Sequence, residues 1–488
     1  MMSTDPASSA PPASRLSRRT FLRSTAASAT AVTFGPKSAW AQAPSDQLNV
    51  ALVGCGAQGA TLLNAGREML QSGSIRLAGV CDIHEYKLKL AASAIRPLTS
   101  TPYTHIDDLL AKETSLDAVL IAVPDFLHAP YTDQCLRAGK HVYCEKMMSN
   151  TIEAARTMVQ AQKETNKLCQ IGHQRRSNPR YLRMKKEIIG AGNPLGKSLL
   201  GVITNAAAQW NRAVVPPISV NKRIEVPQEI LTRHGYANMH EFLNWRWFKK
   251  YGGGALSDLG AHQIDLFNWF LDSMPVSLVA SGGRDYYNGA SDGDTQRPNF
   301  ELPDNITCSY EYNVHGQTVR CGYTVLTTTS SQGIFEKVMG TEASVVISED
   351  NKNNQIYREN IATWDAQPLL DQGFLGLAPG SVHHKFWESP KPWWQEDKWL
   401  AKVGVKAGAV DARESKAAGA YELPEILTKF PHTPHLENFI DCVRQQKSQA
   451  DLNCPVQEAY KTCVTVLRVY DALNEGKKIV FAPAEFTV

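Results

Sequence analysis

The chain has 488 residues, a formal net charge of +3, 43% hydrophobic residues and 20% charged residues. This length favours two domains, and the composition is that of a globular protein with sizeable apolar cores. The near-neutral charge argues against nucleic acid as a partner, because no basic run or RNA-binding pattern occurs beyond the N-terminal segment.

The N-terminal segment, residues 1–43, has the layout of a twin-arginine export signal. Arg18 and Arg19 precede Phe21-Leu22, a mildly apolar stretch and small-residue cleavage sites. The alternative is a disordered tail or a lipid-facing anchor. No later segment supplies the run of about 18 apolar residues that a membrane span needs. We therefore expect the twin-arginine translocation machinery as a partner, a periplasmic or secreted location, and no stable membrane insertion.

The first predicted element after the signal is an apolar strand that runs into a glycine-rich loop and then a helix, "LNVALVGCGAQGATLL". A second strand ends at Asp82, at the spacing expected for an acid that binds the adenosine ribose. Glycines let the backbone approach a pyrophosphate, and the helix N-terminus favours its charge. The cofactor contacts expected in this loop are Gly54, Gly56, Ala57, Gln58 and Gly59. A carboxylate at Asp82 would repel a 2′-phosphate, which favours NAD over NADP; a structural turn with a solvated aspartate is the alternative.

The alternation of strands and helices continues through residues 48–170 and predicts a Rossmann domain. Ligands of such sheets bind beyond the carboxyl ends of the strands. The further cofactor contacts expected along this rim are Pro124, Asp125, His128, Glu145 and Lys146. Lys146 follows a buried strand and is also a candidate for chemistry, with a solvated lysine at a strand end as the alternative.

Residues 171–433 change to strands and turns, which predict an open, mostly antiparallel sheet serving substrate binding and oligomerisation. Residues 350–430, rich in tryptophan and proline, are predicted to be an irregular insert that forms a lid or an oligomer arm. Residues 434–488 are predicted to form helices and a strand that pack back near the cofactor domain.

A helix predicted at "GGGALSDLGAHQIDLFNWFL" carries Asp258, His262 and Asp265, four and then three residues apart. These positions share one face of an α-helix. Two carboxylates and an imidazole on an otherwise apolar helix indicate a site. The alternatives are that Asp258 caps the helix N-terminus and that His262 is a core histidine.

Substrate contacts are also expected from Arg176, Trp245 and Arg246, with a solvated basic patch and core tryptophans as the alternatives. No cysteine or histidine cluster has the spacing of a metal site, so we expect no metal. The ten cysteines are expected to be mostly free and buried, because twin-arginine substrates fold in a reducing compartment.

Taken together, the glycine loop and the motifs "AVPDFLH", "AGKHVYCEK", "QIGHQRRSNPRY" and "NWRWFKKYGGGALSDLGAHQIDLFNWF" resemble the Gfo/Idh/MocA superfamily of oxidoreductases. The resemblance covers about residues 48–345 and returns in the C-terminal helices. It implies that Lys146, Asp258 and His262 are catalytic, with His262 as base, Lys146 stabilising the oxygen, and Asp265 accepting from a second hydroxyl. One departure is Met147, which follows Glu145-Lys146 where the family has proline.

The resemblance implies an NAD-dependent oxidoreductase acting on a secondary hydroxyl of a sugar, glycoside or polyol. Export would favour a tightly bound cofactor that is recycled between substrates. An NAD-dependent glycosidase is the second hypothesis, and a non-catalytic nucleotide-bound sugar sensor is the third. Relatives in this superfamily form dimers or tetramers through the open sheet face, which implies a homo-oligomer.

Overall fold

The structure is a computed structural model that describes residues 47–94, 100–293, 295–349, 353–378, 419–425 and 427–488. The predicted export signal lies outside these residues, as does most of the insert. Among the described residues, no helix is long and apolar enough to cross a bilayer.

The N-terminal half is built on a six-stranded parallel sheet in the order β3-β2-β1-β4-β5-β6. Its strands are β1 (Leu48–Val53), β2 (Ile75–Cys81), β3 (Thr101–Tyr103), β4 (Ala118–Ile121), β5 (His141–Cys144) and β6 (Cys169–Ile171). The connecting helices are α1 (Ala57–Ala65), α2 (Arg67–Gln71), α3 (Glu85–Ala92), α4 (Ile106–Lys112), α5 (Asp125–Arg137) and α6 (Ile152–Thr165). This order is that of a Rossmann fold, so the prediction for this half is confirmed.

The second half is built on a ten-stranded sheet in the order β16-β17-β15-β14-β13-β7-β12-β11-β8-β18. All neighbours are antiparallel except β7 and β12, which are parallel. The strands are β7 (Ile203–Asn211), β8 (Pro275–Gly283), β11 (Asn305–Val314), β12 (Gln317–Leu326), β13 (Ile334–Gly340), β14 (Ala343–Ile347), β15 (Asn354–Arg358), β16 (Gly376–Leu377), β17 (Gly419–Glu422) and β18 (Ile479–Val480). A separate hairpin consists of β9 (Ser291–Asp292) and β10 (Thr295–Gln296). The predicted, mostly antiparallel sheet is confirmed.

The remaining helices are α7 (Pro179–Arg183), α8 (Gln228–Arg233), α9 (Met239–Leu243), α10 (Ala261–Leu271), α11 (Gln367–Asp371), α12 (Thr433–Arg444) and α13 (Val456–Glu475). Two π-helical segments, Met184–Ile189 and Leu256–Gly260, adjoin α7 and α10. Short 3-10 turns lie at Gln174–Ser177, Lys222–Ile224, Trp245–Trp247, Gln449–Asp451 and Pro483–Phe486.

The C-terminal helices tie the two sheets together. Leu436 and Phe439 of α12 are fully buried in the same apolar cluster as β1 and β2 of the Rossmann sheet. Helix α13 packs between α6, α10 and β8, and its Val464 and Val466 are fully buried. The C-terminal segment thus contributes to the apolar core of the Rossmann half as well as to that of the second half.

The prediction of an irregular insert over residues 350–430 is wrong for its described parts. Strand β15 pairs with both β14 and β17, so residues 354–358 and 419–422 extend the main sheet. Trp364, which follows β15, is buried, and its indole nitrogen donates to Leu199 O at 2.8 Å. Tryptophan and proline content hid short strands that gain their stability from pairing with distant partners.

All ten cysteines lie in the described part of the chain, and each is buried and unpaired. The expectation of free thiols is therefore confirmed. Burial raises the pKa of Cys81, Cys308 and Cys463 to about 12, which keeps these thiols protonated and unreactive.

Candidate active site

The glycine loop between β1 and α1 uses its three glycines in three different ways. Gly54 has φ +94°, and a Cβ there would lie 2.3 Å from Ala122 O. A Cβ on Gly59 would lie 2.0 Å from Gly54 O, so this glycine allows α1 to pack on the strand end. Gly56 differs, because no protein atom lies within 4 Å of its ideal Cβ. Its lack of a side chain leaves open space where a dinucleotide pyrophosphate would approach.

The N-terminus of α1 faces the same space. Helix α1 begins at Ala57, and Gly56 in front of it supplies no side chain to bind the first N–H groups. These donors, which include those of Ala57 and Gln58, suit an anion. The Gln58 amide nitrogen lies 3.2 Å from His432 Nε2, so the residue before α12 reaches the glycine loop.

Asp82, just after β2, is fixed beside this loop by backbone donors. One carboxylate oxygen accepts from Cys55 N at 2.6 Å and the other from His84 N at 2.7 Å. Burial raises the pKa of Asp82 although these donors oppose the shift. The side chain therefore sits where an adenosine ribose would bind and where a 2′-phosphate would meet a carboxyl group.

The residues after β4 and β5 that were predicted to contact the cofactor lie close together at the carboxyl-end edge of the sheet. Several of them are buried. Asp125 Oδ2 accepts from Gly253 N at 3.3 Å, and burial raises its pKa to about 6 against the pull of nearby cations. His128 Nδ1 lies 2.5 Å from Met147 O, and burial lowers its pKa to about 4. Glu145 is 3% exposed and accepts from the Tyr143 hydroxyl at 3.3 Å. Pro124 precedes α5 as its N-cap residue. His128 and Glu145 thus contact other protein groups next to Lys146 and are buried beneath the surface that a cofactor would face.

Lys146 lies at the junction of the two halves. Its ammonium donates to Asp258 O at 2.5 Å and lies 3.5 Å from Asp258 Oδ1, and the side chain is 10% exposed. The Lys146–Met147 peptide bond is cis. The contacts with Asp258 show that Met147, in place of the family proline, does not keep Lys146 from this residue.

Asp258 lies in the π-helical segment Leu256–Gly260, which leads into α10. Arg246 Nε donates to its Oδ1 at 3.1 Å, and Arg212 lies 3.7 Å from its Oδ2. Burial alone would raise the pKa of Asp258, but Arg246, Lys146 and Arg212 outweigh burial and hold it well below its usual range. Asp258 is therefore an ionised carboxylate surrounded by three cations.

His262 follows in the first turn of α10 and is 8% exposed. Its Nδ1 is buried and has no hydrogen-bond partner. The centre of its ring lies 6.0 Å from the centre of the Trp210 ring and 6.3 Å from that of the His173 ring. Burial, reinforced by Lys146 and Arg175, holds the pKa of His262 well below its usual value. The imidazole is therefore neutral at physiological pH and able to accept a proton.

The last residue of the predicted stripe, Asp265, has a different environment. It is 1% exposed and accepts two hydrogen bonds from Arg176, at 2.8 Å each, and one from the Thr462 hydroxyl at 2.7 Å. Burial opposes its ionisation, but Arg176 outweighs burial and lowers the pKa of Asp265 to about 2. Arg176 is itself 4% exposed. The geometry favours a buried structural ion pair here over the substrate contacts predicted for both residues.

Trp245 and Arg246 form the start of a 3-10 turn in front of the glycines. The Arg246 guanidinium lies 4.4 Å from the centre of the Trp245 indole. A Cβ on Gly252 would approach Trp245 ring carbons to 2.9 Å, so this glycine is needed for the turn to pack. Gly253 binds Asp125 through its N–H, and its carbonyl accepts from the Tyr470 hydroxyl at 2.5 Å. The glycines therefore pack against protein side chains.

Arg212 and Trp210 lie near the site and were not predicted from the sequence. Arg212 follows β7 and reaches Asp258, and Trp210 on the same strand lies against His262. Arg175 is 1% exposed and donates to Glu336 Oε1 at 2.5 Å. Like Arg176 with Asp265, Arg175 is therefore part of a buried ion pair with Glu336. Among the described residues no group of three or more histidine, cysteine or acidic side chains forms a metal site.

Comparison with known proteins agrees with this geometry. Residues 48–173 match a family described as "Oxidoreductase family, NAD-binding Rossmann fold", and residues 226–368 match its "C-terminal alpha/beta domain". The chain is 34% identical over 286 residues to inositol 2-dehydrogenase 2 of Saccharopolyspora erythraea, covering 56% of this chain and 70% of that protein.

Two solved structures share the fold at low identity. A levoglucosan dehydrogenase in complex with NADH and L-sorbose has a TM-score of 0.62 and 16% identity, covering 90% of this chain and 99% of that one. An aldose–aldose oxidoreductase from Caulobacter crescentus has a TM-score of 0.59 and 17% identity, covering 89% and 100%.

Proposed function

Because the chain belongs to the Gfo/Idh/MocA family and is an NAD-dependent oxidoreductase, we propose that it oxidises or reduces a secondary hydroxyl carbon of a sugar, glycoside or polyol. The observation that carries this proposal is the meeting of Lys146, Asp258 and His262 where the two halves join. Lys146 comes from the end of β5 and the other two from the segment leading into α10.

Each of the three side chains has a distinct role in this proposal. The neutral His262 accepts the hydroxyl proton, and Lys146 places positive charge beside the developing alkoxide. Asp258 holds the Lys146 ammonium through its carbonyl and carboxylate oxygens. NAD, held by the loop from Gly54 to Gly59 and by Asp82, supplies the hydride acceptor when bound.

The low pKa of His262 has a chemical consequence. A neutral imidazole is ready to accept a proton, but Lys146 and burial disfavour the protonated product. The growing negative charge on the substrate oxygen compensates that cost as the proton moves, since the imidazolium and the alkoxide attract each other in a site of low dielectric. The base is therefore matched to a reaction that develops negative charge beside it.

We further propose a periplasmic or secreted location, reached through the twin-arginine machinery, and a cofactor that is recycled without release. The paired arginines Arg18 and Arg19 support export. Free NAD is scarce outside the cytoplasm, which favours an enzyme that oxidises one sugar and reduces another. The structural likeness to an aldose–aldose oxidoreductase is consistent with this proposal. A homo-oligomer, dimer or tetramer, built on the open sheet face completes it.

The test begins with purified protein, denatured to release its cofactor, which is identified as NAD, NADH or their phosphorylated forms. Native protein is then incubated with sugars singly, with pairs of sugars, and with aryl glycosides. Product that forms only from pairs supports recycling. Aryl release without an external acceptor supports the NAD-dependent glycosidase instead. Tight sugar binding without turnover supports the sensor.

The matched variants are His262→Ala and His240→Ala. His240 is an exposed residue of α9. We expect His262→Ala to lose turnover and to keep bound NAD, and His240→Ala to keep both. Loss of NAD from His262→Ala would contradict the assigned role.

A further inference from the structure

Two half-exposed guanidinium groups flank Asp258 with hydrogen-bonding capacity to spare. The Arg212 side chain is 48% exposed and the Arg246 side chain 42% exposed. Arg246 binds Asp258 through Nε, and Arg212 approaches it only to 3.7 Å. Neither contact uses the full planar fork of five N–H donors that a guanidinium offers to an anion.

Each guanidinium is held over a tryptophan. The Arg212 guanidinium carbon lies 5.2 Å from the centre of the Trp210 ring, and the Arg246 guanidinium carbon lies 4.4 Å from the centre of the Trp245 ring. Stacking on an aromatic face orients the plane of the group and lowers the entropy lost on binding. The two arginines are thus preorganised on either side of Asp258, close to His262 through Trp210.

The local charges do not balance. Lys146, Arg212 and Arg246 face Asp258, and buried Asp125, which accepts from Gly253 N, is a second carboxyl group that interacts with Lys146 and Arg246. Three cations against two carboxylates leave one unit of positive charge at the mouth of the site.

The neighbouring buried arginines do not add to this surplus. Arg175 is paired with Glu336, and Arg176 is paired with Asp265. A single surplus charge matches a monoanion better than a phosphate dianion or a neutral sugar.

From these contacts we infer that the substrate is a sugar acid whose carboxylate binds between Arg212 and Arg246, while a ring hydroxyl faces Lys146 and His262. This inference rests on the proposed function and specifies its substrate class. The carboxylate takes no part in the reaction, in which the hydroxyl proton goes to His262 and the hydride to NAD. Its role is to orient the ring.

The test compares glucuronate, galacturonate and mannuronate with glucose, galactose and mannose, and with hexose 6-phosphates. We expect the kcat/KM of wild-type protein for one hexuronate to exceed that for the matched hexose roughly 10- to 100-fold, the range of a charged hydrogen-bonded contact. Arg212→Met is expected to lower this ratio by a similar factor, mainly through KM. Equal ratios in the two proteins, or a preference for the 6-phosphate, would overturn the inference.

The control variant removes another arginine from the segment that joins β7 to α8, in which Arg212 also lies. Arg223 is exposed on the 3-10 turn Lys222–Ile224, eleven residues after Arg212. Arg223→Met should keep the wild-type ratio, so a general loss of positive charge would be recognised if both variants changed alike.

The experiment separates failure of the inference from failure of the proposed function. Turnover of neutral sugars without preference for an acid overturns the inference and leaves the function standing. If no sugar is turned over, the function fails, and calorimetric titration with the hexuronates decides the inference. Binding that Arg212→Met weakens roughly tenfold or more supports it, and no binding overturns it.

Discussion

Asp258 and Asp265 lie seven residues apart and each is paired with an arginine, but they differ in what surrounds them. Asp265 is fully buried, and its oxygens are taken up by Arg176 and Thr462. Asp258 is 24% exposed and faces three cations whose donors are only partly used. A closed ion pair thus holds the fold, whereas an open one is available to a ligand. His262 lies between the two, with its ring turned towards Trp210 and His173.

Removing the charge of Asp265 gives the largest expected effect on stability. Asp265→Asn leaves Arg176 as a buried unpaired cation, which should lower the free energy of unfolding by about 3–5 kcal/mol. Urea denaturation measures this change. The double variant Arg176→Met/Asp265→Leu should regain most of the loss, because it removes both charges. A stable single variant would show that the pair does not hold the fold.

The glycine loop shows the same contrast between a residue that serves packing and one that serves a ligand. Gly59→Ala places a Cβ 2.0 Å from Gly54 O and should destabilise the protein by about 1–3 kcal/mol. Gly56→Ala meets no protein atom and should leave thermal stability within about 1 kcal/mol of wild type, while weakening NAD binding. Denaturation and cofactor titration of the two variants are compared. Equal NAD affinity in Gly56→Ala would contradict a pyrophosphate at this position.

His173 is buried beside His262, and its protonation makes the free energy of unfolding depend on pH. Burial lowers the pKa of His173 to about 4. The cations Arg176, Lys146 and Arg175 also lower it, whereas the Asp265 carboxylate opposes the shift. The unfolded chain binds this proton from about pH 6.5 downward, so stability falls as pH drops from about 6.5 to 4, at up to about 1.4 kcal/mol per pH unit for this group.

His173→Gln should make that decline shallower, by a slope that corresponds to at most one proton. Urea midpoints measured across this pH range give the slopes for the variant and for wild type. Identical slopes for His173→Gln and wild type would mean that His173 is protonated in the folded protein.

Asp258→Asn is expected to destabilise the protein less than Asp265→Asn does. The Asp258 carboxylate and its partners Arg212 and Arg246 are partly solvated, so water compensates part of the lost charge. Turnover should nevertheless fall, because Lys146 and Arg246 lose the group that positions them. A stability loss as large as that of Asp265→Asn would contradict the distinction between the closed ion pair at Asp265 and the open one at Asp258.

The sequence was sufficient where neighbouring residues determine the structure. The strand, the glycine loop and Asp82 lie within 35 residues, and their spacing reflects contacts within that stretch, such as Gly54 N with Cys81 O and Cys55 N with the Asp82 carboxylate. Lys146, Asp258 and His262 could be proposed together only through the family resemblance, since 112 residues separate Lys146 from Asp258.

The sequence misled where partners are distant or where the helix changes its period. Asp265 shares a predicted face with His262, but Arg176, 89 residues earlier, covers it. The π-helical turn at Leu256–Gly260 also breaks the regular α-helical face on which the stripe was predicted. Arg212 carried no motif, because its role arises from the pairing of β7 with β12 and β13.

The most direct test is a single-turnover measurement on protein purified with its bound NAD, following absorbance of the reduced nicotinamide after sugar is added. We expect reduction in wild type and in Arg176→Met/Asp265→Leu. In His262→Ala we expect a rate lower by roughly 10²- to 10⁴-fold, the usual contribution of a general base. Reduction at the wild-type rate in His262→Ala, with the cofactor retained, would contradict the assignment of His262 as the base.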